Sequence, residues 1–292
     1  MMRTDFHLDL PGTEAQPGRN KPIGMRLVEL GHLKADDIAA IEQAQQSSQL
    51  RFGETAMKLG LVTRSDVEDA LARQFNFPST PQWAEGSEVV ISTASMEPVA
   101  EAIRTLRAQL ALQWMRHRQT QFVSIVSATR GEGRSFIAAN LAVAFAQLQE
   151  RTLLIDMDLR NGRQHQIFRI ANEHGLSTLA SGRSTGQEFQ AIEGFDTLNV
   201  LTAGPRPPHP QELLAARTMA PVLEHARAHY DIVIIDTPAW STGADAQIIS
   251  AQARQALLIS APGRSTRDDT GLLVGALRQV GVSILGAAVN RR

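Results

Sequence analysis

From Phe122 onward, short apolar runs alternate with longer stretches whose apolar residues recur every three or four positions. The runs are Phe122–Ser127, Thr152–Asp156, Leu198–Leu201, Ile232–Asp236, Ala256–Ser260 and Ile284–Val289, most of them apolar throughout and rich in Val, Ile and Leu. Strands covered on both faces have this composition, because neither face meets water. The stretches between them carry the helical period, beginning with Phe136–Leu148, and a further helix is predicted from Pro98 to Arg116. Such alternation predicts an α/β fold, a mostly parallel sheet flanked by helices. Ligands of such sheets bind beyond the carboxyl ends of the strands.

Upstream the pattern changes to a tandem repeat with an offset of 29 residues. IGMRLVELGHLKADDIAAIEQAQ is echoed by FGETAMKLGLVTRSDVEDALARQ, which carries Gly24 onto Gly53, Gly31 onto Gly60, Asp37 onto Asp66 and Gln45 onto Gln74. Each copy predicts two short helices. Gly31 and Gly60 stop the first, and Asp36 and Ser65 stand where an N-cap starts the second. Ile38 and Ile41, and Val67, Ala70 and Leu71, mark buried faces. The resulting division is a flexible tail at 1–20, a helical repeat domain at 21–79, a linker at 80–97 and a nucleotide-binding domain at 98–292. The linker is rich in Pro, Ser, Thr, Gly and Glu, holds Trp83, and includes a candidate short strand at Val89–Ile91.

Composition narrows the chemistry. A charge of −1, from 29 basic and 30 acidic residues, offers no electrostatic reason to expect nucleic acid. The sequence has no cysteine, which excludes disulfides and thiolate metal sites and suits a reducing cytoplasm. No apolar run reaches the roughly 20 residues of a spanning helix, and MMRTDFHLDLPG lacks the apolar core of a signal peptide. Any membrane connection is therefore expected through a partner.

The first strand runs into Ala128-Thr129-Arg130-Gly131-Glu132-Gly133-Arg134-Ser135 and then a long helix. Glycines let the backbone present its N–H groups to phosphate oxygens, and the helix dipole points at the same anion. Ser135 stands where a Walker A hydroxyl ligates Mg²⁺. Ala128 replaces the first glycine of that motif, and Arg134 replaces its lysine. The next strand ends in Asp156-Met157-Asp158, with two carboxylates on one side of an extended chain. Asp236 ends a later strand in a Walker B setting. Ser135, Asp156 and Asp236 thus predict a Mg²⁺–phosphate site.

These motifs bring a family into view. SATRGEGRSFIAANLA, TLLIDMDLRNGRQHQIF, GLSTLASG, LTAGPRPPHPQELL, YDIVIIDTPAW with Asp245-Ala246, and ILGAAVNRR occur in order across 98–292. Together they resemble the bacterial tyrosine kinases of capsule and exopolysaccharide systems, the Wzc/CpsD/EpsG group, deviant-Walker relatives of MinD and ParA. Arg134 and the added amino-terminal domain look most like the EpsG-type proteins. The resemblance implies ATP and Mg²⁺ as cofactors, with Thr129, Arg130, Gly131, Glu132, Gly133, Arg134, Ser135 and Phe136 at the nucleotide, and Asn290 and Arg291 beside its base. It implies Ser135, Asp156 and Asp236 as metal ligands, and Asp156, Asp158 and Arg134 as catalytic, one aspartate being the general base. It also implies that Glu101, Arg104 and Arg107 dock on a neighbouring subunit and close a ring. A membrane chain-length determinant of the Wzz type is the implied partner, so the protein is expected in the cytoplasm, recruited to the inner membrane.

The sequence departs from that family in three places. Arginine is a larger planar fork than lysine, which bears on geometry at the transferring phosphoryl group. His209 stands where the family commonly has asparagine. The chain ends at Arg292 without a tyrosine-rich tail, and Tyr230 is its single tyrosine. Three readings follow: a kinase acting on tyrosine in another protein, a MinD/ParA-like ATPase switch, or a nucleotide-binding scaffold without turnover. The repeat domain is similar to the N-terminal domain of type II secretion ATPases, some of which bind cyclic di-GMP through an R-L-G start in each repeat. Here Arg51-Phe52-Gly53 keeps that start and Pro22-Ile23-Gly24 does not, leaving a protein-docking module and a cyclic di-GMP site both open.

Overall fold

The computed structural model describes residues 21–46, 48, 50–64, 66–67, 70–71, 81–84, 86–91, 97–115 and 119–291. The expected tail at 1–20, together with Ser65, Gln74 and Arg116, lies outside them. The chain forms two compact units, Met1–Phe77 and Pro78–Arg292.

In the first unit, α1 (Ile23–Glu29), α2 (Ala35–Gln46) and α3 (Phe52–Lys58) enclose a core of Leu27, Leu33, Ile41, Ala56, Val62, Val67 and Ala70. Gly31 and Gly60 do end α1 and α3, at φ +77° and +69°, a conformation that a side chain would strain. The cap is displaced from its expected place. α2 begins before Asp36, and Asp37 accepts a hydrogen bond from the Lys34 N–H at 2.8 Å. Its repeat partner Asp66 does the same for Thr63 at 2.7 Å, while the Thr63 hydroxyl accepts from the Asp66 N–H. These bonds put the cap at Lys34 and Thr63, two residues before the expected Asp36 and Ser65.

The second unit is built on a seven-stranded sheet. Its elements are α4 (Pro98–Trp114), β1 (Gln121–Val126), α5 (Arg134–Ala146), β2 (Thr152–Asp156), α6 (Gln164–Phe168), α7 (Leu176–Ala180), β3 (Phe189–Ile192) and β4 (Phe195–Leu201). There follow α8 (Pro210–Leu213), α9 (Ala216–His229), β5 (Ile232–Asp236), α10 (Asp245–Ala253), β6 (Gln255–Ser260), α11 (Arg267–Gln279) and β7 (Ser283–Val289). The order is β3-β4-β2-β5-β1-β6-β7, parallel except for β3 on β4. The α/β class and all six expected strands are present. β1, β2 and β5 are buried along their whole length, and α5, almost wholly buried, packs on them with Val123, Ile125, Leu154 and Ile234. The sequence pattern missed β3, an edge strand of four residues of which only Ile192 is buried.

The stretch expected as a linker differs most. Residues 81–84 and 86–91 belong to this unit, and Val89–Ile91 is not a strand. Trp83 meets Phe168 at a tilt and Phe195 edge-on, and donates to the Glu193 carbonyl at 3.0 Å. Val89 and Ile91 are buried. Their backbone needs are met by a side chain: Asn140 of α5 accepts from the N–H groups of Val90 at 2.8 Å and Ile91 at 3.2 Å, and donates to the Glu88 carbonyl at 3.0 Å. A buried amide can stand in for a strand neighbour because it offers both donor and acceptor.

Candidate active site

The three central strands β2, β5 and β1 end side by side. Their register sets Asp156 directly opposite Asp236. Beyond β1 the chain folds into the loop from Ser127 to Gly133 and enters α5. Gly133 sits at φ +94°, with the Asn290 side chain so close that a Cβ would lie 2.1 Å from its Nδ2. Both backbone angle and space therefore demand glycine.

Asp156 and Asp236 are both fully buried. Asp156 accepts from the Asp158 N–H at 3.2 Å and the Gln164 N–H at 3.0 Å. Asp236 Oδ2 accepts from Gln164 Nε2 at 2.8 Å, and the Ser135 hydroxyl also bonds to Asp236. Burial, then the Asp236 charge, pushes the Asp156 carboxyl well above its ordinary range. Burial raises Asp236 too, against Ser135, Arg134 and Gln164, which favour its ionised form. Two carboxylates so placed share a proton or attract a cation. Asp236 Oδ1, Gln164 Oε1 and Thr129 Oγ1 are buried without a hydrogen-bond partner. The unmet Asp236 Oδ1 and Gln164 Oε1 at the carboxylate pair fit a hydrated Mg²⁺, which uses one or two carboxylates and keeps several waters. Among the described residues no three His, Cys, Asp or Glu side chains converge as a complete metal cage. Asp158 stands at the mouth, its Oδ1 accepting from the N–H groups of Arg160 at 3.2 Å and Asn161 at 2.9 Å.

Arg134 is the main surprise. Its side chain is buried, only 8% exposed, and bent back onto the protein. Nε donates to the Thr237 carbonyl at 2.8 Å, and Nη1 donates to the Thr129 carbonyl at 2.8 Å and to the Ser127 hydroxyl. Burial lowers its pKa, while Asp236, Asp158 and Glu132 act the other way. A guanidinium stays charged under such shifts. The planar fork thus ties the loop to the end of β5, a task the single-point ammonium of lysine cannot perform in the same way.

The remaining expected residues separate. The Phe136 ring lies in the core, so only its backbone faces the loop. The Thr129 N–H is taken by Glu132 Oε2 at 2.7 Å. Glu132 Oε1 accepts from the Ala261 N–H at 3.2 Å and the Ser265 hydroxyl. Burial raises the Glu132 pKa, but the bonds from Ser265, Thr129 and Ala261 outweigh it and hold the group below its ordinary value. Arg130 is exposed beside Gly131, and Arg291 is exposed beyond β7. Asn290 donates to the Glu132 carbonyl at 3.1 Å, bracing the phosphate loop. Of the helix trio on α4, Glu101 is exposed and 3.3 Å from Arg104. Arg107 instead donates to the Ala144 carbonyl at 3.1 Å, where burial lowers its pKa.

Sequence patterns gave no role to Gln164, nor to Asp245, which entered only as part of a family motif. Gln164 joins both aspartates, and its Nε2 also donates to the Ser135 carbonyl at 3.1 Å. Buried Asp245 accepts from Arg160 Nε at 2.6 Å, holding the turn that carries Asp158. Glutamine has no place in the Walker patterns, so its only signal was its position in NGRQHQIF. His209 precedes α8 and is exposed.

No family model matches the chain. It is 37% identical to tyrosine-protein kinase YwqD of Bacillus subtilis over 69% of this chain and 85% of that one. It is 36% identical to tyrosine-protein kinase Etk of Escherichia coli over 66% of this chain, and spans 27% of Etk. Among solved structures, the chimerical protein CapA2B2 superposes with a TM-score of 0.65 at 31% identity, over 77% of this chain and 99% of that one. The septum site-determining protein MinD of Pyrococcus horikoshii, solved with Mg-ADP, matches at 26% identity with a TM-score of 0.50, over 59% and 70%.

Proposed function

We propose, from the premise that this chain belongs to the bacterial tyrosine-protein kinase family, that it transfers the γ-phosphoryl group of ATP to tyrosine with Mg²⁺ bound. The buried Asp156–Asp236 pair beside Ser135, with Asp236 Oδ1 unpartnered, carries this reading. Ser135 and Asp236, with Asp156 behind them, would hold Mg²⁺, which neutralises charge on the phosphates when bound. The backbone of Gly131, Gly133 and Ser135 would receive the phosphate oxygens, aided by the N-terminus of α5. Arg134 would act by keeping that loop in shape. Asp158, held in orientation by the Arg160 and Asn161 N–H groups, would accept the tyrosine proton at its carboxylate as the hydroxyl oxygen bonds to phosphorus and the bond to ADP breaks.

Tyr230, the single tyrosine of the sequence, is buried at the entry to β5, and burial raises its pKa. That burial makes Tyr230 a poor acceptor and supports a tyrosine of another protein as substrate. By family likeness we place the activity in exopolysaccharide assembly, with a membrane chain-length regulator as partner and self-association through Glu101 and Arg104. No helix among the described residues is long and apolar enough to cross a membrane, consistent with recruitment through that partner. We take residues 21–79 as a docking domain. A cyclic di-GMP site has in its favour one exposed arginine, Arg51, matched by Pro22 in the other copy.

The likeness to MinD favours one second reading, an ATPase switch without phosphotransfer. Incubation with γ-labelled ATP, Mg²⁺ and a Glu–Tyr copolymer separates the two. Phosphotyrosine that disappears in Asp158→Asn is the expected result. Phosphate release without phosphotyrosine would replace the kinase with the switch.

A further inference from the structure

A nucleotide's phosphates carry charge that a loop of backbone amides only partly offsets, and the residue placed to complete the task here is already engaged. Arg134 donates through Nε and Nη1 to three acceptors and is buried. Turning it toward a ligand would leave the carbonyls of Thr129 and Thr237 without that donor. Arg160 is held by Asp245 and Arg163 by Glu88.

Arg264 is different. It lies on the turn between β6 and α11, exposed, and among the described residues its guanidinium has no hydrogen-bonding or ionic partner. That guanidinium nevertheless rests beside the phosphate loop, its carbon 3.6 Å from where a Cβ on Gly131 would sit. The turn is anchored at both ends. Glu132 of the phosphate loop bonds the Ala261 N–H and the Ser265 hydroxyl. The Thr266 hydroxyl accepts from the Asp269 N–H at 3.0 Å, capping α11. Between them the Arg264 N–H closes onto the Ala261 carbonyl at 3.1 Å. A charged side chain on a pinned turn, adjacent to the loop and without a partner among the described residues, is placed to meet an anion.

We propose that Arg264 is a phosphate-binding residue of the nucleotide site, supplying the direct cationic contact that Arg134 does not make. Glu132 is then a positioning residue that links the two loops. The inference rests on the nucleotide reading above and adds a residue outside the phosphate-loop motif to it.

Calorimetric titration of the full chain with ADP and Mg²⁺ at low and moderate salt tests it. Arg264→Ala is expected to bind ADP about ten-fold more weakly, the scale of one charge-assisted hydrogen bond. Arg264→Lys should recover most of that loss, which a packing role would not allow, and the deficit should shrink as salt rises. Unchanged ADP affinity in Arg264→Ala overturns the proposal and leaves the nucleotide site standing. A loss carried by Arg130→Ala instead also overturns it. Failure of the unaltered protein to bind ADP sinks the nucleotide reading and this inference with it.

Discussion

The repeat unit and the P-loop unit obey the same packing rules and differ in what they bury. Around α1–α3 the buried side chains are apolar, with Thr55 the one polar exception among the described residues. Among the described residues of the P-loop unit, every buried charged side chain but Glu188 (Glu132, Arg134, Asp156, Asp158, Asp236 and Asp245) belongs to the site at the strand ends. Burying charge costs several kcal/mol per ion unless it is paired (order of magnitude). One unit is built for stability and shape. The other accepts a local penalty where a ligand can relieve it.

The sharpest test of that contrast is Asp156→Asn. Phosphotyrosine formation should fall by about a hundred-fold or more, the scale of losing a general acid–base or electrostatic group, while the thermal midpoint without Mg²⁺ stays level or rises. The pH dependence has a definite sign. The folded-state pKa of Asp156 is raised, so its contribution to stability is full below the ordinary 3.8 and is lost as pH rises through the raised value. Wild type in metal-free buffer should lose stability over that rise, and Asp156→Asn should lose less. Equal loss in both proteins would remove the carboxylate pair as the strained element.

In the repeat unit the vulnerable point is space. A Cβ on Gly53 would stand 2.8 Å from Val67 Cγ1, so Gly53→Ala should destabilise this unit by about 1–3 kcal/mol, as overpacking does. Hydrogen exchange at Leu27 and Ile41 should accelerate while ADP affinity holds. A parallel drop in ADP affinity would mean that the two units fold as one. The smallest effect belongs to Glu101→Ala. Its exposed pair with Arg104 is worth less than about 0.5 kcal/mol to the fold. Sedimentation should nonetheless show loss of self-association, and unaltered assembly would put the subunit contact elsewhere.

Much of this molecule was legible from local pattern. Buried strands announce themselves because both faces exclude water, and Asp156 and Asp236 end such strands wherever the sheet happens to lie. The repeat was legible as well, down to the left-handed Gly31 and Gly60. Legibility failed where a role depends on a distant partner. Nothing near Val89 says that Asn140 will satisfy its neighbours' backbone, and Arg107 looks free until α5 presents the Ala144 carbonyl.

By itself, then, the sequence determined the α/β class, the order of its central elements and the residues at the strand ends. These follow from periodicity and from chemistry within a few positions along the chain. Tertiary structure alone decided that Arg134 reaches Thr237, 103 residues away, that Gln164 spans the two aspartates, and that Glu132 and Arg264 bring the β6–α11 turn to the phosphate loop. Hydrogen-bond demand in a buried site is met by whatever the fold brings within about 3 Å, and separation along the chain does not encode that proximity.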